Sequence, residues 1–171
     1  MYRLREIEKS DLAEINQWRN NPDIISNLGA SFRFINLDID CRWYENYINN
    51  RRECIRCAIT FANDDKILGM VSLTSIDYIN QSAKLHIQVG RKENQGKGIG
   101  TYAVREMLLH AFDNMNLRRV ELTVLSDNRI AKHLYEKCGF VLEGCKKSAI
   151  YKKGKFVDID CYAVLREKYY S

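Results

Sequence analysis

Three glycines at alternate positions, Gly96, Gly98 and Gly100, stand among the cations Arg91, Lys92 and Lys97. Residues without a Cβ let an anion approach the backbone closely. If a helix starts here, its first N–H groups carry the positive end of the helix dipole. The chemistry open to such a turn is the grip of a phosphate or pyrophosphate. Ahead of it, His86 shares the polar positions of an alternating run with Lys84 and Gln88. An imidazole titrates in the range that suits a general base. Further along, Tyr135 brings a phenol that stays protonated at neutral pH and can donate. Asn128 is a residue type that caps a helix N-terminus.

These groups need elements to hold them. Ala83–Val89 alternates as a strand does, and Val104, Leu108, Ala111, Phe112 and Met115 recur at helical spacing. The glycine turn therefore joins a strand to a helix. Earlier, Tyr2 to Ile7 reads as a strand. Ser10 and Asp11 can cap a helix that carries Leu12, Ile15 and Trp18 on one face. Asp11 and Glu14 have capping-box spacing, and Asn20-Asn21-Pro22 ends that helix. A second helix is expected between Leu37 and Asn50. Strands follow at Cys57–Ala62 and Ile67–Ser75, joined through Asn63-Asp64-Asp65-Lys66. Arg119–Leu125 reads as a strand, and Asn128–Cys138 as a helix that Gly139 stops. Two closing strands, near Glu143–Tyr151 and Phe156–Leu165, flank Lys152-Lys153-Gly154-Lys155. The order is β-α-α-β-β-β-α-β-α-β-β, a mixed α/β chain.

The glycine spacing is neither G-x-G-x-x-G nor G-x-x-x-x-G-K-[ST], so it fits neither the dinucleotide fingerprint nor the Walker loop. It reads Gln95-x-x-Gly98-x-Gly100. Asn128-x-x-Ala131-x-x-x-Tyr135-x-x-x-Gly139-Phe140 follows it. The two segments, in this order and at this distance, resemble the GNAT superfamily of acyl-CoA N-acyltransferases. The resemblance runs from Tyr2 to about Leu165. It implies one GNAT domain over residues 1–171: a mixed, mostly antiparallel twisted sheet, flanked by helices, with a central splay between two strands. It implies that acetyl-CoA lies in the splay, with backbone groups of Ile87 and Val89 serving the pantetheine arm. Gln95, Gly96, Lys97, Gly98, Ile99, Gly100 and Thr101 would wrap the pyrophosphate. Asn128 would bond the pantetheine arm as well as cap its helix. Tyr135 falls where the family places the donor to the leaving sulfur.

Amide formation from a thioester needs a neutral amine, a stabilised oxyanion and a protonated leaving thiolate. A backbone N–H such as that of Val89 suits the oxyanion. For the base the residues leave alternatives. Some family members carry a glutamate on the strand before the last long helix, but Thr123 stands at that place. Glu121 shares its face and lies further from the loop. His86 is a candidate, and a water chain without one assigned base is another.

Trp18-Arg19-Asn20-Asn21-Pro22 resembles the W/F-R-N-x-P start of two GNAT branches. One acetylates ribosomal-protein N-termini, the other amino groups on nucleotide-linked sugars. The C-terminal half also resembles polyamine acetyltransferases. Those carry acidic residues after the first helix, whereas Ile25–Phe34 here holds no carboxylate and one arginine, Arg33. Spermidine is therefore expected to be a poor acceptor. A non-catalytic acyl-CoA-binding module is the other reading to be kept.

Composition narrows the field. The chain has 171 residues, 46% hydrophobic and 29% charged, enough for one domain with a core. No apolar run is long enough to span a bilayer, and the start is not signal-like, so a cytoplasmic location and no membrane partner are expected. The six cysteines are then expected to be reduced. Cys54-x-x-Cys57 lacks the second ligand pair of a zinc site, so no metal is expected. A net charge of +5 is mild for a nucleic-acid binder, and none is expected as a partner. Lys146, Lys147, Lys152, Lys153 and Lys155 read as a solvated hairpin rim. The partner expected is a small-molecule or peptide amine, and a homodimer is admissible.

Overall fold

A computed structural model describes residues 1–171. Strand β1 (Tyr2–Glu6) is followed by a single 3-10 turn and the helices α1 (Leu12–Arg19), α2 (Pro22–Ser26) and α3 (Leu37–Asn49). Strands β2 (Ile55–Phe61), β3 (Asp64–Asp77) and β4 (Ser82–Val89) come next. Helix α4 (Ile99–Leu109) runs into a π turn at His110–Asn114. Strand β5 (Arg119–Leu125), helix α5 (Arg129–Lys137), strands β6 (Val141–Lys152) and β7 (Lys155–Leu165) and a short α6 (Arg166–Tyr169) complete the chain. No helix is long and apolar enough to cross a membrane.

The strands form one sheet in the order β1-β2-β3-β4-β5-β7-β6. Every pairing is antiparallel except β4 with β5, which is parallel. That parallel register is short: Ser82, Ala83 and Lys84 lie opposite Arg119, Val120 and Glu121, and there it stops. Beyond Lys84 the two strands part. This is the splay, and it divides the sheet into β1–β4 and β5–β7–β6.

Each face has its own core. Ile59, Val71, Leu73 and Leu85 pack with Val104, Leu108 and Phe112 of the α4 segment, and with Leu122, Tyr135 and Tyr162. On the other face Ala58 packs with Leu12, Ile15 and Trp18 of α1 and Tyr47 of α3. Period-two alternation therefore puts Arg56, Ser72, His86 and Gln88 on the α1–α3 face.

Several local expectations change. The capping box belongs to the 3-10 turn and joins Glu8 to Asp11. Glu14 instead accepts from Trp18 Nε1 at 3.0 Å and pairs with Arg91. Asn20-Asn21-Pro22 ends α1 and also begins α2, because Asn21 Oδ1 accepts from Asp23 N at 2.9 Å and Pro22 takes the first helical position. The β2–β3 turn is tighter than its polar composition suggested: Phe61 pairs with Asp64, so Asp64–Lys66 belong to the strand. The β6–β7 hairpin turns on Lys153 and Gly154, both at positive φ (47° and 84°), as a two-residue turn with the right twist requires. Lys152 is not part of a solvated rim. Its Nζ donates to the carbonyls of Ile25 (2.8 Å), Leu28 and Ala30 (3.0 Å), tying the hairpin to the end of α2. Cys54 and Cys57 pack against opposite faces of the sheet and form no pair.

Candidate active site

The splay exposes a strand edge. Gly90 N donates to Leu68 O at 2.9 Å, and the β3–β4 register runs on from there. Alternation along an antiparallel ladder then turns the N–H and C=O of Ile87 and Val89 away from β3, into the gap. The expected backbone groups are thus available where β5 has left them.

The glycine turn leads from this edge into α4. Gly96 and Gly98 take left-handed φ values of 75° and 79°, conformations that cost a Cβ-bearing residue about 1–2 kcal/mol. Gly98 is the N-cap of α4. Gln95, Gly96, Lys97 and Gly98 are exposed, and Ile99 and Gly100 turn inward. The first backbone bond of the helix is Tyr102 N to Gly98 O at 3.0 Å. No protein group accepts from the N–H groups of Gly96, Lys97, Gly98, Ile99, Gly100 or Thr101. Six successive donors at a helix N-terminus make an anion cradle.

Two details of the turn differ from expectation. Gly100 is buried, and a Cβ on it would lie 2.6 Å from Leu134 Cδ1. Its smallness leaves room for Leu134 of α5. Arg91 does not lend free charge to the cradle, because Glu14 of α1 takes its Nε at 2.8 Å and its Nη2 at 3.1 Å. Lys92 and Lys97 remain the cations there. Gly90 was not singled out by spacing: a Cβ on it would fall 2.3 Å from Trp18 Cε2, so α1 presses directly on the end of β4.

Asn128 caps α5, accepting from Ala131 N at 3.1 Å. Its amide also donates to Asn27 O at 3.1 Å, which fastens the α2 end to the start of α5. Nearly two helix turns further, Tyr135 lies in the core against Phe140. No protein group hydrogen-bonds its hydroxyl, and the oxygen is not sealed from solvent. Burial pushes its pKa up to about 12. The phenol is protonated at neutral pH.

His86 stands on the α1–α3 face of β4, with Nε2 2.9 Å from Thr74 Oγ1. Crowding of the ring, then the charges of Arg56 and Lys84, hold its pKa below the ordinary histidine value. It is neutral at pH 7. Thr123 and Glu121 share that face on β5, and Arg119 draws Glu121 into an ion pair at 3.4 Å.

A second cleft, of about 560 Å³, opens between the α2 end, the start of α5 and the hairpin. Asn27, Leu125, Asn128 and Val157 line it together with Arg129, Lys153 and Lys155, and Asp127 is its one carboxylate. No group of three or more acidic, cysteine or histidine side chains converges to suit a metal ion.

A sheet edge opened by a splay, a helix N-terminus with six free N–H groups at its end and a buried phenol with an unpartnered oxygen are the features of a two-sided cleft. The family model described as "Acetyltransferase (GNAT) domain" matches residues 2–141, and the chain belongs to this family. It is 31% identical to the spermidine N(1)-acetyltransferase of Vibrio cholerae serotype O1, over 97% of this chain and 94% of that one. It is also 31% identical to a putative ribosomal N-acetyltransferase of Bacillus subtilis, over 62% of this chain and 57% of the other. The crystal structure of spermidine N-acetyltransferase from Vibrio cholerae in complex with CoA and spermine superposes with a TM-score of 0.92 at 30% identity, covering 99% and 98% of the two chains. The protein is an acetyl-CoA-dependent N-acetyltransferase of the GNAT type.

Proposed function

We propose that the chain moves the acetyl group of acetyl-CoA directly to a primary amine on an acceptor that is not a polycation: a nucleotide-linked aminosugar, or a protein N-terminus. The observation that carries the cofactor side is the run of six unpaired N–H donors from Gly96 to Thr101 beside the β4 edge. They suit a pyrophosphate. Val89 N–H, turned into the gap, holds the developing oxyanion. Tyr135 donates its phenolic proton to the departing sulfur. His86, neutral and on the opposite face, takes a proton from the amine.

The acceptor side rests on charge. The hairpin cleft sets Arg129, Lys153 and Lys155 against a single Asp127. Such a rim favours an anion-bearing molecule and repels a spermidine cation. The full-length likeness to a spermidine N(1)-acetyltransferase favours the second reading, a polyamine acceptor.

One assay separates them. Released CoA thiol is followed with spermidine, a uridine-diphosphate aminosugar and a short peptide amine at equal concentration. Higher kcat/KM for the sugar or the peptide is expected. Spermidine matching or exceeding both sinks this acceptor assignment. Acetyl-CoA binding without turnover of any amine would make the chain a binding module instead.

A further inference from the structure

Beneath α3, the sheet presents a guanidinium with nothing to hold. Arg56 of β2 is half-buried on the α1–α3 face. Its Cζ lies 4.9 Å from the centre of the Trp43 ring and 5.9 Å from that of Tyr47. It makes no ion pair and no hydrogen bond, and its Nε is sealed from solvent without an acceptor. Gln88 of β4 has the same fault: its Nε2 is buried and unpartnered. The sheet register joins the two. Arg56 lies opposite Ser72, and Ser72 opposite His86, which is two residues from Gln88 on the same face.

A second guanidinium approaches the same indole. Arg19 of α1 has its Cζ 5.3 Å from the Trp43 ring. That charge is matched, because the fully buried Asp40 accepts from Arg19 and, at 2.7 Å, from Asn16. Asp40 is thus taken by Arg19, no carboxylate pairs with Arg56, and the corner is left with one positive charge and two unused buried donors. An unsatisfied buried donor costs about 1–3 kcal/mol. What would satisfy both is a group that only accepts, with negative charge.

We propose that Arg56, Gln88 and the Trp43 ring form an oxyanion subsite that receives a phosphate or carboxylate of the amine acceptor. It rests on the acetyltransferase reading above and names the feature of the acceptor that this chain recognises. Neighbouring strands are about 4.8 Å apart, so Arg56 lies two strands, roughly 10 Å, from His86 and the gap edge. An oxyanion shared by Arg56 and Gln88 lies between them over β3, about one strand spacing, roughly 5 Å, from that edge. Trp43 fixes the guanidinium plane, and Gln88 closes the ring of donors on the side of the gap. The cationic hairpin rim lies outside this subsite and works at longer range.

Two measurements test it. In 15N-labelled protein saturated with CoA, the Arg56 Nε–Hε and Gln88 amide signals are followed while inorganic phosphate is added; Arg56→Lys, which lacks Nε–Hε, assigns the first. Both signals are expected to move together and saturate. Signals that stay in place overturn the subsite. Then kcat/KM is compared for glucosamine, glucosamine 6-phosphate and galactosaminuronic acid in wild type and Arg56→Gln. The variant is expected to lower the ratio of kcat/KM on the charged sugars to kcat/KM on glucosamine about ten- to a hundredfold, as one charge-assisted hydrogen bond predicts; any change through the His86 base falls on all three and cancels in the ratio. The phosphate and carboxylate arms tell which oxyanion is read. An unchanged ratio overturns the subsite. If wild type acetylates no amine, the acetyltransferase reading fails, and the phosphate titration still decides the subsite.

Discussion

Tyr135 keeps its ring in the core and its oxygen without a protein partner. Replacing it with Phe keeps the packing against Phe140 and removes only the donor. Tyr135→Phe is expected to lower kcat about 10²–10⁴-fold and leave acetyl-CoA affinity and Tm unchanged. Steady-state kinetics with a calorimetric titration checks this, and wild-type turnover would return the residue to packing alone. His86 carries a pH prediction. Its depressed pKa means that a base at this position is already neutral below pH 6.5, the ordinary histidine value. The rate therefore holds as pH falls to that value and drops only on further acidification through the depressed pKa. The same sign applies to stability: the unfolded chain binds the proton more readily, so His86 favours the fold above the ordinary value and less so below it. In His86→Gln the acid limb of kcat is expected to vanish. A limb that persists in the variant assigns the proton transfer to another group.

At the scale of elements, the glycine turn holds two different kinds of glycine, and two substitutions separate them. Gly98→Val meets empty space but must hold a left-handed φ, so it distorts the cradle and spares the core. It is expected to abolish the rise in Tm that acetyl-CoA gives by linkage, with a fall in the Tm of the free protein no larger than backbone strain costs. Gly100→Val sets a β-branched side chain against Leu134 in the buried contact of α4 with α5 and is expected to lower the Tm of the free protein. Parallel thermal melts with and without acetyl-CoA decide, and a normal shift in Gly98→Val would displace the cofactor from this turn. The turn, the strand before it and the helix after it were legible in the sequence because glycine spacing and hydrophobic periodicity are local signals. Asn128–Gly139 was legible for the same reason: a capping asparagine opens it and a left-handed glycine closes it. The Arg91–Glu14 pair, the inward Lys152 and the Trp18–Gly90 contact were not. Each joins positions far apart in the chain, and an exposed-looking cation carries no local mark of its partner. The Arg56 corner was hidden in the same way, since its oddity is the absence of a neighbour that only the fold can reveal. The short helices α2 and α6 have too few turns to show a period.

At the scale of the molecule, the sheet is two leaves with a very short spine. Three residue pairs, Ser82–Lys84 against Arg119–Glu121, are all the ladder between them. Elsewhere the leaves meet through the core they share under α4 and through contacts off the sheet: Leu134 against Gly100 on one side, Asn128 and Lys152 reaching the α2 end on the other. A book with so short a spine, bound along one face only, is stiffened at its open end by whatever lies between its pages. A pantetheine arm along the β4 edge would be that insert, so the first substrate would set the angle between the leaf that carries His86 and the leaf that carries the hairpin cleft. Amide hydrogen exchange reads the angle's stiffness. CoA is expected to slow exchange at Ile87 and Val89, which it covers, and also in Arg119–Glu121 along the spine, and Gly98→Val is expected to lose both effects. Slowing confined to the covered β4 amides would mean that the spine is already rigid and that the two substrate sites do not communicate through it.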